Sequence, residues 1–109
     1  MAEPTLVTIF GNNASQTATE LIISKADLAT VGLTASANNT PESLLAAIIA
    51  LAQPRLGQVS YDANLDQSII ITNQPDTLIN RGSTTYRQSG KIIEFFKVDS
   101  SGNFDPDDY

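Results

Sequence analysis

The sequence predicts a small α+β domain, in which one buried helix packs on an antiparallel sheet of about five strands. Two observations predict this fold class. Apolar residues recur at helical spacing in one stretch near the middle of the chain, and short β-branched or aromatic runs separated by turn residues make up most of the second half. A chain of 109 residues is one domain in length and is long enough to bury its own core.

The helix is predicted over residues 40–53, where apolar side chains recur along one face at Leu44, Leu45, Ile48, Ile49 and Ala52. Only Glu42 is charged, and alanines and a further leucine fill much of the remaining circumference. A helix with so apolar a surface is expected to be buried on more than one side, either inside the domain or against a neighbouring subunit.

Both ends of this helix carry sequence signals. At the N-terminus, either Thr40 is the cap, with Pro41 in the first helical position, or Asn39 is the cap and Glu42 completes a capping box. At the C-terminus, Pro54 cannot enter the helix interior without the loss of a hydrogen bond, and it disfavours helical backbone at the residue before it. The helix is therefore expected to stop just before this proline.

Strands are predicted where β-branched and aromatic residues cluster between turn residues. These runs are residues 5–10, 19–25, 58–61, 67–72, 84–88 and 91–98. Turns are expected at 62–64, at Pro75-Asp76 and at Ser89-Gly90, the last as the two-residue loop of a hairpin. One short helical turn, closed by Gly32, is expected within residues 27–33.

The chain is predicted to form a single domain over residues 1–98, followed by an acidic tail over residues 99–109. The tail contains four Asp and no aliphatic side chain. Such a composition cannot form a core of its own, so the tail is expected to be extended or flexible.

Composition excludes several classes of function. The net charge is −6 at pH 7, so the chain lacks the excess of cations that neutralises phosphates, and no nucleic-acid partner is expected. Arg55, Arg81 and Arg87 with Tyr86 would be the groups to contact a single strand, but surface ion pairs with the excess carboxylates are the favoured interpretation. Cys and His are absent, which removes disulfides, zinc-type sites and the usual general base near neutral pH. No cofactor and no catalytic residue is predicted.

One short segment resembles the start of a calcium-binding loop. Asp62, Asn64, Asp66 and Ser68 alternate as oxygen ligands do at the start of an EF-hand loop. The match fails at the sixth and twelfth positions, which hold Gln and Asn instead of Gly and Glu, so a polar turn is the favoured interpretation. Carboxylate pairs for glycosidase chemistry, at 62 and 66 or within 105–108, lie in a turn and in the tail, and solvated loops are favoured there. The chain is not expected to be an enzyme.

The apolar helix and the last strand have two interpretations. In residues 91–98 both strand faces carry apolar groups, so this strand is either central in a layered domain or covered by a partner chain. As an ordinary core, these residues only stabilise the fold. As an interface, they hold subunits together, and the predicted contact residues are Ile48, Ile49, Ile93, Phe95 and Phe96.

The first residues, MAEPTLVTIFG, lack the basic start and the apolar segment of an export signal. The longest apolar run, from Leu44 to Ala52, is about half a membrane span. Synthesis in the cytoplasm and no membrane partner are therefore expected.

Three stretches carry a family resemblance: SKADLATVGLTASANNTPESLLAAIIALAQ, YDANLDQSIII and the closing FDPDDY. Together they resemble small uncharacterised structural proteins of tailed phages and prophage-like elements. The resemblance spans most of the chain and includes no motif with a known chemical role. It implies a non-enzymatic virion component, such as a capsid decoration, neck or tail subunit, that associates with itself or docks on virion or host proteins. The alternative is a monomeric adaptor or regulator that binds one protein through an exposed strand edge.

Overall fold

A computed structural model of the chain describes residues 4–99 and 102–109. Within these residues the fold is α+β, with four α-helices and three small antiparallel sheets of two strands each. The helices are α1 (Leu6–Phe10), α2 (Lys25–Leu28), α3 (Pro41–Ala52) and α4 (Gln58–Ala63). The strands are β1 (Ser15–Gln16), β2 (Leu21–Ile22), β3 (Ile69–Asn73), β4 (Thr77–Arg81), β5 (Thr84–Gln88) and β6 (Lys91–Phe95). Short 3₁₀ turns lie at Ala29–Val31, Gln53–Arg55 and Pro106–Asp108.

The longest helix, α3, forms where the sequence predicts it. Thr40 is the N-cap: its backbone is extended, and its hydroxyl accepts a hydrogen bond from the Ser43 N–H at 3.1 Å. Asn39 is not the cap, because its side chain is bonded to the preceding loop, where Nδ2 donates to the Thr34 carbonyl. The helix ends at Ala52 and passes into a 3₁₀ turn that contains the predicted stop signal, the proline.

The packing of α3 differs from the prediction. Its principal neighbours are α1, α2 and the 3₁₀ turns at Ala29–Val31 and Gln53–Arg55, so this layer is helical. Ala47 and Ala52 are buried, but Leu45 is 59% exposed, which leaves one side of the helix open. The single helix on a five-stranded sheet is replaced by this helical layer and by separate strand pairs, since no sheet among the described residues exceeds two strands.

Two segments predicted as strands form helices. Residues 5–10 contain α1, which starts with the Thr5 hydroxyl accepting from the Thr8 N–H and ends at Gly11 with a φ of +103°. Half-buried Leu6, Ile9 and Phe10 recur at helical spacing in this helix, and α1 packs on α3. Tertiary burial of one helical face therefore overrides the β propensity of the branched residues.

Residues 58–61, the second of these segments, lie in α4. A hydrogen bond of 2.9 Å from the Gln58 side chain to the Asp62 carboxylate joins positions four apart in this helix. The turn predicted at 62–64 is consequently the C-terminal end of a helix and not a link between two strands.

The predictions between α1 and α3 hold in part. The run 19–25 contains a strand of only two residues, β2, which pairs with β1, and Ser24 already caps α2. The helical turn within 27–33 is confirmed: a 3₁₀ turn follows α2 and is closed by Gly32 in the left-handed region at a φ of +104°.

The second half folds as one long antiparallel ribbon with a break in its middle. β3 pairs with β6, and β4 pairs with β5. Between the two ladders, Gln74-Pro75-Asp76 on one side faces Ser89-Gly90 on the other, so one strand carries an extra residue, as in a β-bulge. The prediction of a hairpin loop at Ser89-Gly90 is therefore wrong. The chain reverses at Gly82-Ser83 instead.

The buried core is small. Among the described residues its apolar members are Leu28, Ala47, Ala52, Ile70 and Ile71, and no larger side chain in that part of the chain is completely buried. The helices and the β3–β6 ladder, which we call the body, are held together partly by polar links. The buried Gln67 donates from Nε2 to the carbonyls of Gly57 and Ile69 and so joins the start of α4 to the start of β3.

None of the helices in the described ranges has the length and apolar character that crossing a membrane requires.

Replacement of Thr40 by Ala removes the cap of α3 and is expected to lower the free energy of unfolding by about 1 kcal/mol. The measurement is urea denaturation followed by circular dichroism. Thr34→Ala, in the exposed loop before the helix, is the matched control. Equal stabilities of the two variants would contradict the assignment of the cap.

Replacement of Gln67 by Met keeps the side-chain volume but leaves two backbone carbonyls without this donor. The expected cost is about 1 kcal/mol, because the two lost hydrogen bonds outweigh the removal of Gln67 Oε1, a buried atom that accepts no hydrogen bond from the described residues. Gln58→Met, which removes a hydrogen bond on the surface, should cost less than about 0.5 kcal/mol. Both values are measured by urea denaturation, and a Gln67 variant as stable as the Gln58 variant would show that the link is dispensable.

Candidate interface

The outer half of the ribbon is the most exposed part of the structure. We define the arm as residues 74–90, which contain β4, β5, the reversal between them and the break at their base. Every residue from 73 to 89 is exposed, and β4 and β5 pack chiefly on each other. An isolated two-stranded hairpin is marginally stable in water, so we expect the arm to be stabilised by contact with a further surface.

The tip of the arm is built by Gly82. Its φ of +63° is the left-handed conformation that the first residue of a tight two-residue hairpin loop requires. Arg81 pairs with Thr84 directly across the ladder, which leaves Gly82 and Ser83 as the whole loop. The tip is therefore narrow.

Both faces of the arm carry apolar side chains. On one face Ile79 lies opposite Tyr86, and the guanidinium carbon of Arg81 lies 5.1 Å from the centroid of the Tyr86 ring. On the other face Leu78, which is 65% exposed, lies opposite Arg87. A ribbon with apolar groups and cations on both faces offers contacts to a partner from either side.

The base of the arm is fixed to the body by a polar cluster. The Lys91 ammonium donates to Gln53 Oε1 at 2.6 Å and to Asn73 Oδ1 at 2.7 Å, and Gln53 Nε2 donates to the same Asn73 oxygen. This cluster joins the first residue of β6 to the turn after α3. At the break itself, the Gln74 N–H donates to the Gly90 carbonyl, and the Gln74 side chain occupies the space that a Cβ at position 90 would need.

The other end of the ribbon carries an aromatic cluster, which we call the aromatic end and define as Phe95, Phe104 and Tyr109. The ring centroids of these residues are 5.0–5.4 Å apart in all three pairs. Phe104 is 61% exposed and Phe95 is 44% exposed, so the cluster is open to solvent. These contacts bring the last residues of the chain back onto β6.

Carboxylates surround the aromatic end. The Lys97 ammonium lies 3.1 Å from the Asp108 carboxylate, and the Asp105 side chain accepts from the Asp107 N–H, so this part of the tail is held by hydrogen bonds and an ion pair. The expected flexibility of residues 99–109 concerns motion and stays a prediction. Residues 100 and 101 lie outside the described residues.

The predicted contact residues lie in three places. Ile93 and Phe95 share one face of the β3–β6 ladder and are 38% and 44% exposed, whereas Phe96 follows β6 and packs its ring on Tyr61 of α4 at 4.9 Å. Ile48 and Ile49 are half-buried in α3, whose principal neighbours are helices and 3₁₀ turns. The five residues therefore form no single patch.

Sequence reasoning missed the apolar residues of the arm and the rings of the tail. Leu78 and Ile79 lie in residues 77–81, for which the sequence analysis predicts no strand, although a glycine between two β-prone runs is a hairpin signal. Phe104 and Tyr109 contact Phe95, from which they are separated in the sequence, and a local sequence pattern does not predict such contacts.

The segment from Asp62 to Ser68, which resembles the start of a calcium-binding loop, is divided between α4 and the loop that follows. The Asp62 carboxylate accepts from the Gln58 side chain, and Asn64 Oδ1 accepts from the Asp66 N–H at 3.1 Å, which is the local bonding expected of a polar turn. In residues 4–99 and 102–109 there is no group of three or more acidic side chains arranged to hold a metal ion.

The arginines predicted as alternatives for single-strand contact lie apart. Arg81 and Arg87 belong to the arm, whereas Arg55 belongs to the turn after α3. Arg87 lies 3.6 Å from the Asp76 carboxylate, a surface ion pair as expected. Of the three arginines, the structure therefore places only Arg81 and Arg87 on the arm, together with Tyr86.

The surface of the chain is large for its mass. The accessible area is 8028 Å², whereas a compact monomer of 11.6 kDa exposes about 5,800 Å². The radius of gyration is 16.3 Å, compared with about 13 Å for a compact domain of this length. Both differences follow from the projecting ribbon and the small core.

Comparisons with protein-family models, with curated proteins and with solved structures find no match for this chain. The resemblance to structural proteins of tailed phages consequently stays a prediction.

Addition of calcium or magnesium is expected to leave the melting temperature unchanged, because the oxygens of Asp62 and Asn64 are already used in local hydrogen bonds. A bound ion at a hundred times its dissociation constant would add about 2.7 kcal/mol to the free energy of unfolding, which thermal denaturation detects easily. A stabilisation that the variant Asp62→Asn/Asp66→Asn loses would contradict this assignment.

Proposed function

We propose that the protein is a non-enzymatic structural subunit that associates with further copies of itself, or with a larger particle, through its exposed apolar surface. The observation that carries the proposal is the exposure of large apolar side chains on a chain whose accessible surface of 8028 Å² exceeds that of a compact monomer by about 2,200 Å². Monomeric proteins rarely leave extended apolar surfaces uncovered.

The arm supports the same proposal. Its hairpin packs chiefly on itself, and its apolar residues Leu78, Ile79 and Tyr86 are 65%, 45% and 42% exposed. A projecting hairpin with both faces apolar gains stability only when a partner covers it. The resemblance to tailed-phage proteins supports a role for the proposed subunit in a virion, as a capsid decoration, neck or tail component.

A second candidate function is a monomeric adaptor that binds one protein by strand addition. β4 and β5 each have a neighbour on one side only, so each offers an unpaired edge to an incoming strand. The two candidates differ in the solution state of the isolated chain, because an adaptor is a monomer and a self-associating subunit is not.

The proposed function predicts a solution mass above that of one chain, measured by light scattering coupled to size exclusion across a concentration series. Ile79→Asp, which places a charge on an exposed apolar position of the arm, is expected to raise the dissociation constant of the assembly at least thirty-fold, about the effect of losing one strong contact residue.

The matched control is Leu65→Asp, an equally drastic change at a residue that is 98% exposed in the loop after α4. It should leave the mass unchanged. A wild-type chain that is a monomer at every concentration would overturn self-association and leave the adaptor. Equal effects of the two variants would show that the arm has no special part in the assembly.

A further inference from the structure

We propose that copies of this chain assemble head to tail, with the arm of one copy docked on the aromatic end of the next. This inference rests on the proposed self-association and names its two surfaces. The partner surface is a second copy of the chain, and each copy contributes a different patch to the contact.

Charge distinguishes the two patches. The arm, residues 74–90, contains the two cations Arg81 and Arg87 and one carboxylate, Asp76, which lies 3.6 Å from Arg87. The rest of the chain holds four cations against eleven carboxylates. Four of these carboxylates fall within residues 99–109, around the aromatic end. The weakly cationic arm and the acidic end attract each other between copies, whereas two acidic ends repel.

The side chains of the two patches are also complementary in kind. The arm presents Tyr86 and Ile79 on one face, and the aromatic end presents the exposed rings of Phe104 and Phe95. Contacts of an aromatic ring with other rings and with aliphatic groups, surrounded by charge pairs, are the usual centre of a protein interface. Arg81, beside Tyr86, would meet the carboxylates near Phe104.

Geometry makes the contact intermolecular. Phe95 pairs with Ile69 at one end of the ribbon, and Gly82-Ser83 forms the other end. The eleven steps from position 84 to position 95 span about 36 Å in extended backbone, and the longest axis of the molecule is 47 Å. In this fold an arm tip and an aromatic end therefore meet only when they belong to different copies.

A head-to-tail assembly uses two different contact areas on each copy. A standard interface buries about 800 Å² on each partner. Contacts between unlike patches close into a ring, of which a reciprocal dimer is the smallest, or continue as a filament.

The test uses two variants of the full chain. The arm variant is Ile79→Asp with Arg81→Glu, and the end variant is Phe104→Lys with Asp107→Lys; all four positions are exposed. Circular dichroism and thermal melts check that both variants fold. Each variant alone is expected to be a monomer, with its dissociation constant for self-association raised at least thirty-fold.

The decisive sample is the equimolar mixture of the two variants. The arm variant keeps an intact end and the end variant keeps an intact arm, so the mixture can form one contact and should give a dimer with one copy of each, measured by light scattering. The single substitution Asp107→Lys, which leaves all the rings in place, repeats the test with less risk to the fold of the tail.

Other outcomes separate this inference from the proposed function. If the wild-type chain assembles and either variant assembles equally well, head-to-tail docking is overturned and self-association stands. A mixture that stays monomeric likewise overturns the docking. If the wild-type chain is a monomer at every concentration, self-association and head-to-tail docking both fall, and docking on a larger particle or the adaptor remains. Binding of a single-stranded oligonucleotide by that monomer, lost in the arm variant, would then assign the arm to nucleic acid.

Discussion

A β-ribbon only two strands wide cannot cover its own faces, and this constraint governs the second half of the chain. Near the body, the β3–β6 ladder is supported by α4, by the turn after α3 and by the Lys91 cluster. Beyond the break at Gln74 and Gly90, the ribbon continues as a hairpin whose strands pack chiefly on each other. Leu78, Ile79 and Tyr86 are among the large apolar side chains that this uncovered hairpin leaves exposed.

The elements that sequence analysis predicted correctly are those determined by local chemistry. The helix α3 has a cap, a proline in the first position, a proline after its end and a regular apolar period, and each signal acts within a few residues. Residues 5–10 have no comparable local signal for helix, since their branched side chains favour strand. Helix forms there because Thr5 and Gly11 close the two ends and α3 covers one face. The contact of α1 with α3 is a tertiary interaction, and a short window of sequence cannot predict it.

The candidate interface was predictable only in part, for the same reason. Both strand faces of residues 91–98 are apolar in sequence, which predicts Ile93 and Phe95 as contact residues, and the structure leaves both partly exposed. The position of the chain reversal decides which strands pair, and a loop predicted at Ser89-Gly90, where the chain in fact reverses at Gly82-Ser83, leaves the arm unpredicted. The closing aromatic residues lie in a tail whose composition predicts flexibility, yet their rings pack on β6. The aromatic cluster can therefore be identified only once the fold is known.

The central claim is that the arm is completed by a partner, and amide hydrogen exchange of residues 77–88 at two protein concentrations tests it most directly. At a concentration where light scattering reports single chains, the amides of β4 and β5 should exchange rapidly, because an uncovered two-stranded hairpin opens easily. At a concentration where the chains assemble, the same amides should become protected while those of α3 change little. Slow exchange in the arm of the single chain, equal to that in α3, would contradict the account.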